Sequence, residues 1–238
     1  MTGPFGTYFA ASFLVFMGLH VWMTRNSGRG FSLDLTFSRS LAAALLVLLG
    51  FTALWLWWPL WPQAFLIRES AGAQSGRFVA VLFAHLIADL VWLAYGRLLG
   101  EKIRVDLILH HLLGLAACLA AWGFGIGWTL IAVLMTTEML PVSTGFLGWA
   151  RAAADPVAER LAQRIGLGVL VFWRLPFWSF LAVVLTRLWV QGDGGDVRHI
   201  YPIAAVALVL ILCMDAFWVR SYLRLLAKPP SSATRQPS

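Results

Sequence analysis

The chain has 238 residues, 60% of them hydrophobic and 12% charged, with a formal net charge of +7. This balance excludes an ordinary soluble domain and indicates a polytopic membrane protein about the size of one helical bundle. The cationic excess does not imply a nucleic-acid partner, because the charges are segregated into the connections between apolar segments, which is a topological pattern.

Seven apolar segments have lengths suited to a bilayer core of about 30 Å. They cover roughly 5–24, 40–61, 78–97, 106–123, 127–149, 166–190 and 200–224. The expected fold is therefore an all-α polytopic membrane protein with seven transmembrane helices. No basic region precedes the first apolar run, so a cleaved secretory signal is not expected. Segments four and five are separated only by the glycine-rich Gly123–Gly127, which predicts an antiparallel pair. The end from Pro229 to Ser238 is polar and proline-containing, a composition expected of a disordered tail. Cys118 and Cys213 lie deep in apolar segments and suggest neither a disulfide framework nor a zinc site.

Orientation follows from the cations. Arg25, Arg29 and Arg39, then Arg97, Lys102 and Arg104, then Arg151, Arg160 and Arg164, then Arg220, Arg224, Lys228 and Arg235 fall on one side, thirteen in all. Arg68, Arg77, Arg187 and Arg198 make four on the other, and Arg174 lies inside a span. The positive-inside rule then predicts an external N-terminus and a cytoplasmic C-terminus, which requires an odd number of spans. Tryptophans mark the same levels. Trp55, Trp57, Trp58 and Trp61, closed by Pro59 and Pro62, together with Trp122, Trp128 and Trp189, define an outer belt, and Trp22 and Trp149 an inner one.

Against this apolar background, ionisable groups inside spans are costly and usually face the protein interior. The opening of segment four reads RVDLILHH, from Arg104 to His111. Asp106 and His110 are four apart, one above the other on a helix, so the carboxylate can orient the imidazole and raise its basicity. His111 lies about 100° round the helix from His110, so the two rings cannot present identically to one site. The pair reads either as acid/base or nucleophilic histidines in an intramembrane cavity, or as headgroup-level histidines bonded to loops. His85 and Asp89 form another i,i+4 pair on segment three; Glu138, Arg174 and Asp215 occupy segments five, six and seven. At about 1.5 Å per residue, most of these lie in the cytoplasmic half of the membrane. Each of Asp89, Glu138, Arg174 and Asp215 would cost about 2.5–3.5 kcal/mol at a helix centre, so they must pair or line a wet cavity. Arg174 is expected to neutralise one carboxylate. The alternative to a functional site is a structural polar network that orders the bundle.

Two prolines sit beside these groups. Pro141 frees the carbonyl of Thr137 next to Glu138, and Pro176 frees that of Phe172 beside Arg174, so kinks are expected at both places. The hydroxyls of Ser143 and Thr144 either contact a ligand or bond back to the preceding turn.

The runs HLIADLVWLAYGRLLGEKIRVDLILHHLLG, TTEMLPVSTGFLGWAR, FWRLPFW and MDAFWVRSYLRLL, in that order, resemble the TLC-domain family of ceramide synthases, translocation-associated proteins and other TLC-domain membrane proteins. The resemblance covers roughly 37–226. It implies a six-helix barrel formed by spans two to seven, preceded by one N-terminal helix and its loop over 1–36 and followed by a polar tail over 227–238. It also implies a membrane lipid or acyl chain in the barrel cavity. In ceramide synthases the histidine pair serves acyl transfer from acyl-CoA, and the matching positions are His110 and His111, with Asp89 at a recurrent aspartate. Trp218 belongs to the tryptophan motif of the last span. The chain departs from ceramide synthases in having only Glu138 where they carry further acidic residues, and Asp215 where an asparagine is usual. It therefore looks closer to the less characterised TLC branch. Alanine- and arginine-rich usage with two lysines points to a bacterial inner membrane, or the endoplasmic reticulum membrane if the source is eukaryotic.

Two functions compete. The first is a lipid acyltransferase or transacylase. His110 or His111 would be base or nucleophile, with Asp106 as orienter, and Asp89 and Glu138 would position the acceptor. His85, Arg174, Asp215, Ser143, Thr144 and Trp218 would line the substrate site, with acyl-CoA or a phospholipid as donor and no tightly bound cofactor. The second is a non-catalytic protein that binds or organises membrane lipid. No spacing matches a zinc motif, no inverted repeat suggests a transporter, and a homodimer is compatible with either reading.

Overall fold

The computed structural model describes residues 4–26, 30–57, 72–102, 104–124, 128–192 and 198–230, apart from the side chains of 4, 57, 72–75, 128–130 and 133. Every regular element among the described residues is helical: α1 (Pro4–Asn26), α2 (Phe31–Trp57), α3 (Gly72–Leu98), α4 (Val105–Phe124), α5 (Trp128–Thr136), α6 (Met139–Ala152), α7 (Pro156–Gly168), a π-helical segment (Val169–Arg174), α8 (Leu175–Gln191) and α9 (Ile200–Leu226). Among the described residues, six helical stretches are long and apolar enough to cross a membrane. The protein is an all-α polytopic membrane protein. Trp22, Trp55, Trp122, Trp149 and Trp189 expose their rings, as headgroup anchors do. Trp58, Trp61, Pro59, Pro62, Arg29, Arg68, Arg235 and the side chains of Trp57 and Trp128 lie outside the described residues, as do 125–127 and 231–238.

The expected fifth span is not one helix. It breaks at Thr137–Glu138, between α5 with nine residues and α6 with fourteen. Pro141 is the reason the expectation of a kink needs correcting. It sits in the first turn of α6, where a missing N–H costs little because that donor has no partner within the helix. The sixth span also begins earlier than expected. The stretch Pro156–Gln191 is continuous over 36 residues, about 54 Å of helix, well beyond the bilayer core. Its start is fixed by Asp155, whose carboxylate accepts from Val157 N and Ala158 N, both at 3.0 Å, with Pro156 following as the first helical residue. The region expected as a cytoplasmic loop is thus largely α7. Before Pro176 the helix widens into the π segment, and Leu175 N–H bonds to Leu170 O, one residue further back than in an α-helix.

The chain divides into two compact units, Met1–Glu138 and Met139–Ser238. In the first, α3 is the central element, packed by α1, α2, α4 and α5. Half of its spanning window is buried, against 11–28% in the other spans, which is why the polar groups of α3 find partners from several helices. The core joins Phe16, Leu46, Leu82, Leu86, Cys118 and Met135. Gly50 lets α2 and α5 approach closely; a Cβ there would lie 2.8 Å from Ala132 O. In the second unit α8 and α9 pair, and α7 packs against α6 and α9. Gly166 permits the α7–α9 contact, because a Cβ would collide with the Tyr222 ring.

Candidate functional site

In the first unit the two histidines of α4 take different carboxylates. His111 Nε2 lies 2.7 Å from Asp89 Oδ2, and Arg39 Nε lies 2.6 Å from Asp89 Oδ1. Both contacts are at ion-pair distance, so Asp89 is clamped between Arg39 and His111. On the other side of the ring, His111 Nδ1 lies 2.6 Å from Leu107 O. A carbonyl only accepts, so Nδ1 is the donor. The ring therefore faces an acceptor at each nitrogen and is held within its own helix as well as across to α3. His111 and Asp89 are almost wholly buried.

His110 takes a different carboxylate. Its Nε2 lies 3.5 Å from Glu138 Oε1, and its side chain is 13% exposed against 3% for His111. The two rings are nearly perpendicular, with centroids 5.6 Å apart, as the 100° offset along the helix requires. Asp106, expected to orient His110, receives two hydrogen bonds from Arg104, at 2.7 and 3.0 Å. His85 stands beside this group. Its ring centroid is 6.4 Å from that of His111 and 5.2 Å from Phe16, and its buried Nδ1 has no hydrogen-bond partner among the described residues. The His85–Asp89 pairing inferred from i,i+4 spacing is thus outweighed by the cross-helix partners of Asp89.

Sequence reading missed two contributors. Arg39 was counted as a loop cation, but α2 starts at Phe31 and carries Arg39 into the protein, where its side chain is only 17% exposed. Arg39 is thus a second arginine drawn into the spans, partly buried where Arg174 is fully buried. His20, fully buried on α1, lies with Nδ1 2.6 Å from Ser38 Oγ, while Ser38 donates to Leu35 O at 3.0 Å. Ser38 thus accepts from His20. The rule that singled out His85, an ionisable group within an apolar run, applies equally to His20 and would have found it.

The second unit holds a separate, internally satisfied cluster. Arg174, at the end of the π segment, reaches Asp215 on α9 through Nε at 2.9 and 3.2 Å and Nη2 at 2.9 Å. Trp178 Nε1 donates to the same carboxylate at 3.1 Å. The guanidinium carbon lies 5.8 Å from the Trp178 ring centre and 5.4 Å from that of Trp218, within cation–π range. The expectation that Arg174 neutralises a carboxylate holds, and the carboxylate is Asp215. Ser143 and Thr144 both bond back along α6, to Leu140 O at 2.8 Å and Pro141 O at 2.9 Å.

The site residues expected from sequence thus fall into two sets, His85, Asp89, Asp106, His110, His111 and Glu138 in one unit and Ser143, Thr144, Arg174, Asp215 and Trp218 in the other. No group of three or more His, Cys, Asp or Glu among the described residues is arranged to hold a metal ion. Comparison with family models, with curated proteins and with solved structures finds no match.

Proposed function

We propose that this integral membrane protein acts on lipids as an acyltransferase or transacylase, and that His110 is the reacting histidine with Glu138 as its carboxylate. The observation that carries the reading is the difference between the adjacent imidazoles. His111 is fixed at both nitrogens by Leu107 O and Asp89, whereas His110 is less buried and meets Glu138 at 3.5 Å. A catalytic base takes up and releases a proton, and a nearby carboxylate stabilises the imidazolium that forms. In this scheme His110 takes the proton of a lipid hydroxyl or amine as that atom attacks the acyl carbon. The acyl–sulfur bond of an acyl-CoA, or the acyl–oxygen bond of a phospholipid, breaks, and the proton passes to the leaving group. His111, Asp89 and Arg39 hold α4 in register. The TLC-domain resemblance supports the same chemistry and a six-helix barrel. The distribution of cations supports an external N-terminus and a cytoplasmic C-terminus, where acyl-CoA is available, in a bacterial inner membrane.

The test is intact-protein mass spectrometry after incubation with mixed acyl-CoAs and phospholipids, combined with product analysis. A transferred product without an acyl-sized mass increase on the protein is expected in wild type and H111Q, and no product in H110A. Full turnover in H110A would remove the assignment. A second reading, a non-catalytic lipid-binding or lipid-organising protein, is favoured by the self-contained Arg174–Asp215 cluster, which keeps that guanidinium occupied within the protein. Lipid retained at fixed stoichiometry without product would support it.

A further inference from the structure

The outward face of α9 changes character along its length. Its buried residues, among them Ile211, Asp215, Trp218 and Tyr222, occupy one side of the helix. At 100° per residue, the exposed Val206, Val209, Cys213 and Phe217 project from the opposite side within a stripe about 100° wide. Arg220 and Arg224 continue that same stripe, and Lys228 follows one turn later just past the helix end; all three are exposed. An apolar, lipid-compatible ridge thus passes directly into a cationic one.

Among the described residues of their own unit, no carboxylate is left to pair with the cations. Its described carboxylates are already engaged: Asp155 caps α7, Glu159 pairs with Arg151 at 2.9 Å, and Asp215 holds Arg174. The end of α9 is also fixed in place. Arg160 on α7 donates to Leu226 O at 2.7 Å and to Leu225 O at 3.3 Å, and also bonds to Lys228 O. The terminal carbonyls of α9 are thereby satisfied, and the cationic ridge is presented on a pinned backbone rather than a frayed end.

We infer that Arg220, Arg224 and Lys228 form a binding ridge for the headgroups of anionic phospholipids in the leaflet where α9 ends, with the acyl chains lying along the Val206–Phe217 stripe. Charge complementarity and continuity with the apolar stripe select a lipid. A free anion would meet the cations but gain nothing from the ridge below them. Each cation near an anionic membrane surface is expected to contribute about fivefold in binding, so neutralising three costs about a hundredfold at low salt, and less as salt screens the charges.

The experiment places full-length protein in nanodiscs of phosphatidylcholine with a minor fraction of phosphatidylglycerol, and reads the retained lipid by native mass spectrometry. Wild type should enrich phosphatidylglycerol. R220Q/R224Q/K228Q should lose most of that enrichment. R187Q/R198Q, which removes charge at the other end of α8 and α9, should keep it, as should the charge-conserving R220K/R224K. Undiminished enrichment in the triple variant, or an equal loss in R187Q/R198Q, would overturn the assignment. If the triple variant does not fold, R220Q and R224Q singly must each cost about fivefold, and no change in either overturns it.

Discussion

The Arg174–Asp215 pair can be tested by breaking it in two ways. Both side chains are essentially inaccessible, at 1% and 0% exposure, so removing one partner leaves an uncompensated charge inside an apolar bundle. Breaking a buried pair from one side typically costs about 3–5 kcal/mol, whereas replacing both members with neutral groups is often close to neutral. R174M leaves Asp215 with the Trp178 donor alone, and D215N leaves a guanidinium without its anion. Each should therefore lower the unfolding free energy by about 3–5 kcal/mol. The double variant R174M/D215N removes both charges, and its amide oxygen still accepts from Trp178 Nε1. It should recover to within about 1–2 kcal/mol of wild type. Unfolding in mixed micelles with increasing dodecyl sulfate, followed by near-ultraviolet circular dichroism, measures all four proteins in one cycle. A double variant as unstable as the sum of the singles would refute the pairing argument. The same cycle separates structure from substrate binding. If the pair is only a latch, the double variant should turn over lipid at the wild-type rate; if Arg174 holds a phosphate, activity should stay lost although stability returns.

Two further perturbations probe the framework that positions these groups. G166A puts a Cβ into the Tyr222 ring, so the ring or the two helices must shift; a loss of about 1–3 kcal/mol is expected, partly relieved by Y222L, in the same unfolding assay. D155A removes an acceptor that serves two backbone donors at the start of α7 and should cost about 0.5–2 kcal/mol. D155S, which can still cap, should retain most of that, and equal losses for the two would show that the cap is immaterial.

The spans were legible because their signal is additive. Some twenty apolar residues in a row leave few alternatives, and the boundaries of α1, α4 and α9 fall within a few residues of where the hydropathy pattern puts them. Legibility failed where local chemistry competes with hydropathy. The run 127–149 is apolar throughout, yet Pro141 favours a fresh helix start just beyond Glu138, and the segment divides there. Conversely, the stretch after Asp155 looked like a charged loop because Glu159, Arg160, Gln163 and Arg164 dominate its composition. Helix propensity and a strong cap make it a helix, and three of those four polar groups bond to each other, to Arg151 or to the end of α9.

The buried polar residues of the spans were legible and their pairings were not, for one physical reason. Spacing along a helix finds neighbours four residues apart, and from it Asp106 was assigned to His110 and His85 to Asp89. On a helix surface in water such pairs are worth only a few tenths of a kcal/mol. Inside a bundle, the penalty for a buried carboxylate far exceeds that local preference, so the carboxylate is satisfied by the strongest cation that packing delivers, whatever its distance in sequence. Asp89 lies between Arg39, fifty residues earlier, and His111, twenty-two later; Asp215 takes Arg174 across forty-one. Asp106 is more exposed and takes a partner close in sequence, Arg104 two residues away, just outside α4. Burial thus decides which rule applies. It also separates the two histidines of α4, because His111, the more buried ring, meets Asp89 on α3 while His110 meets Glu138.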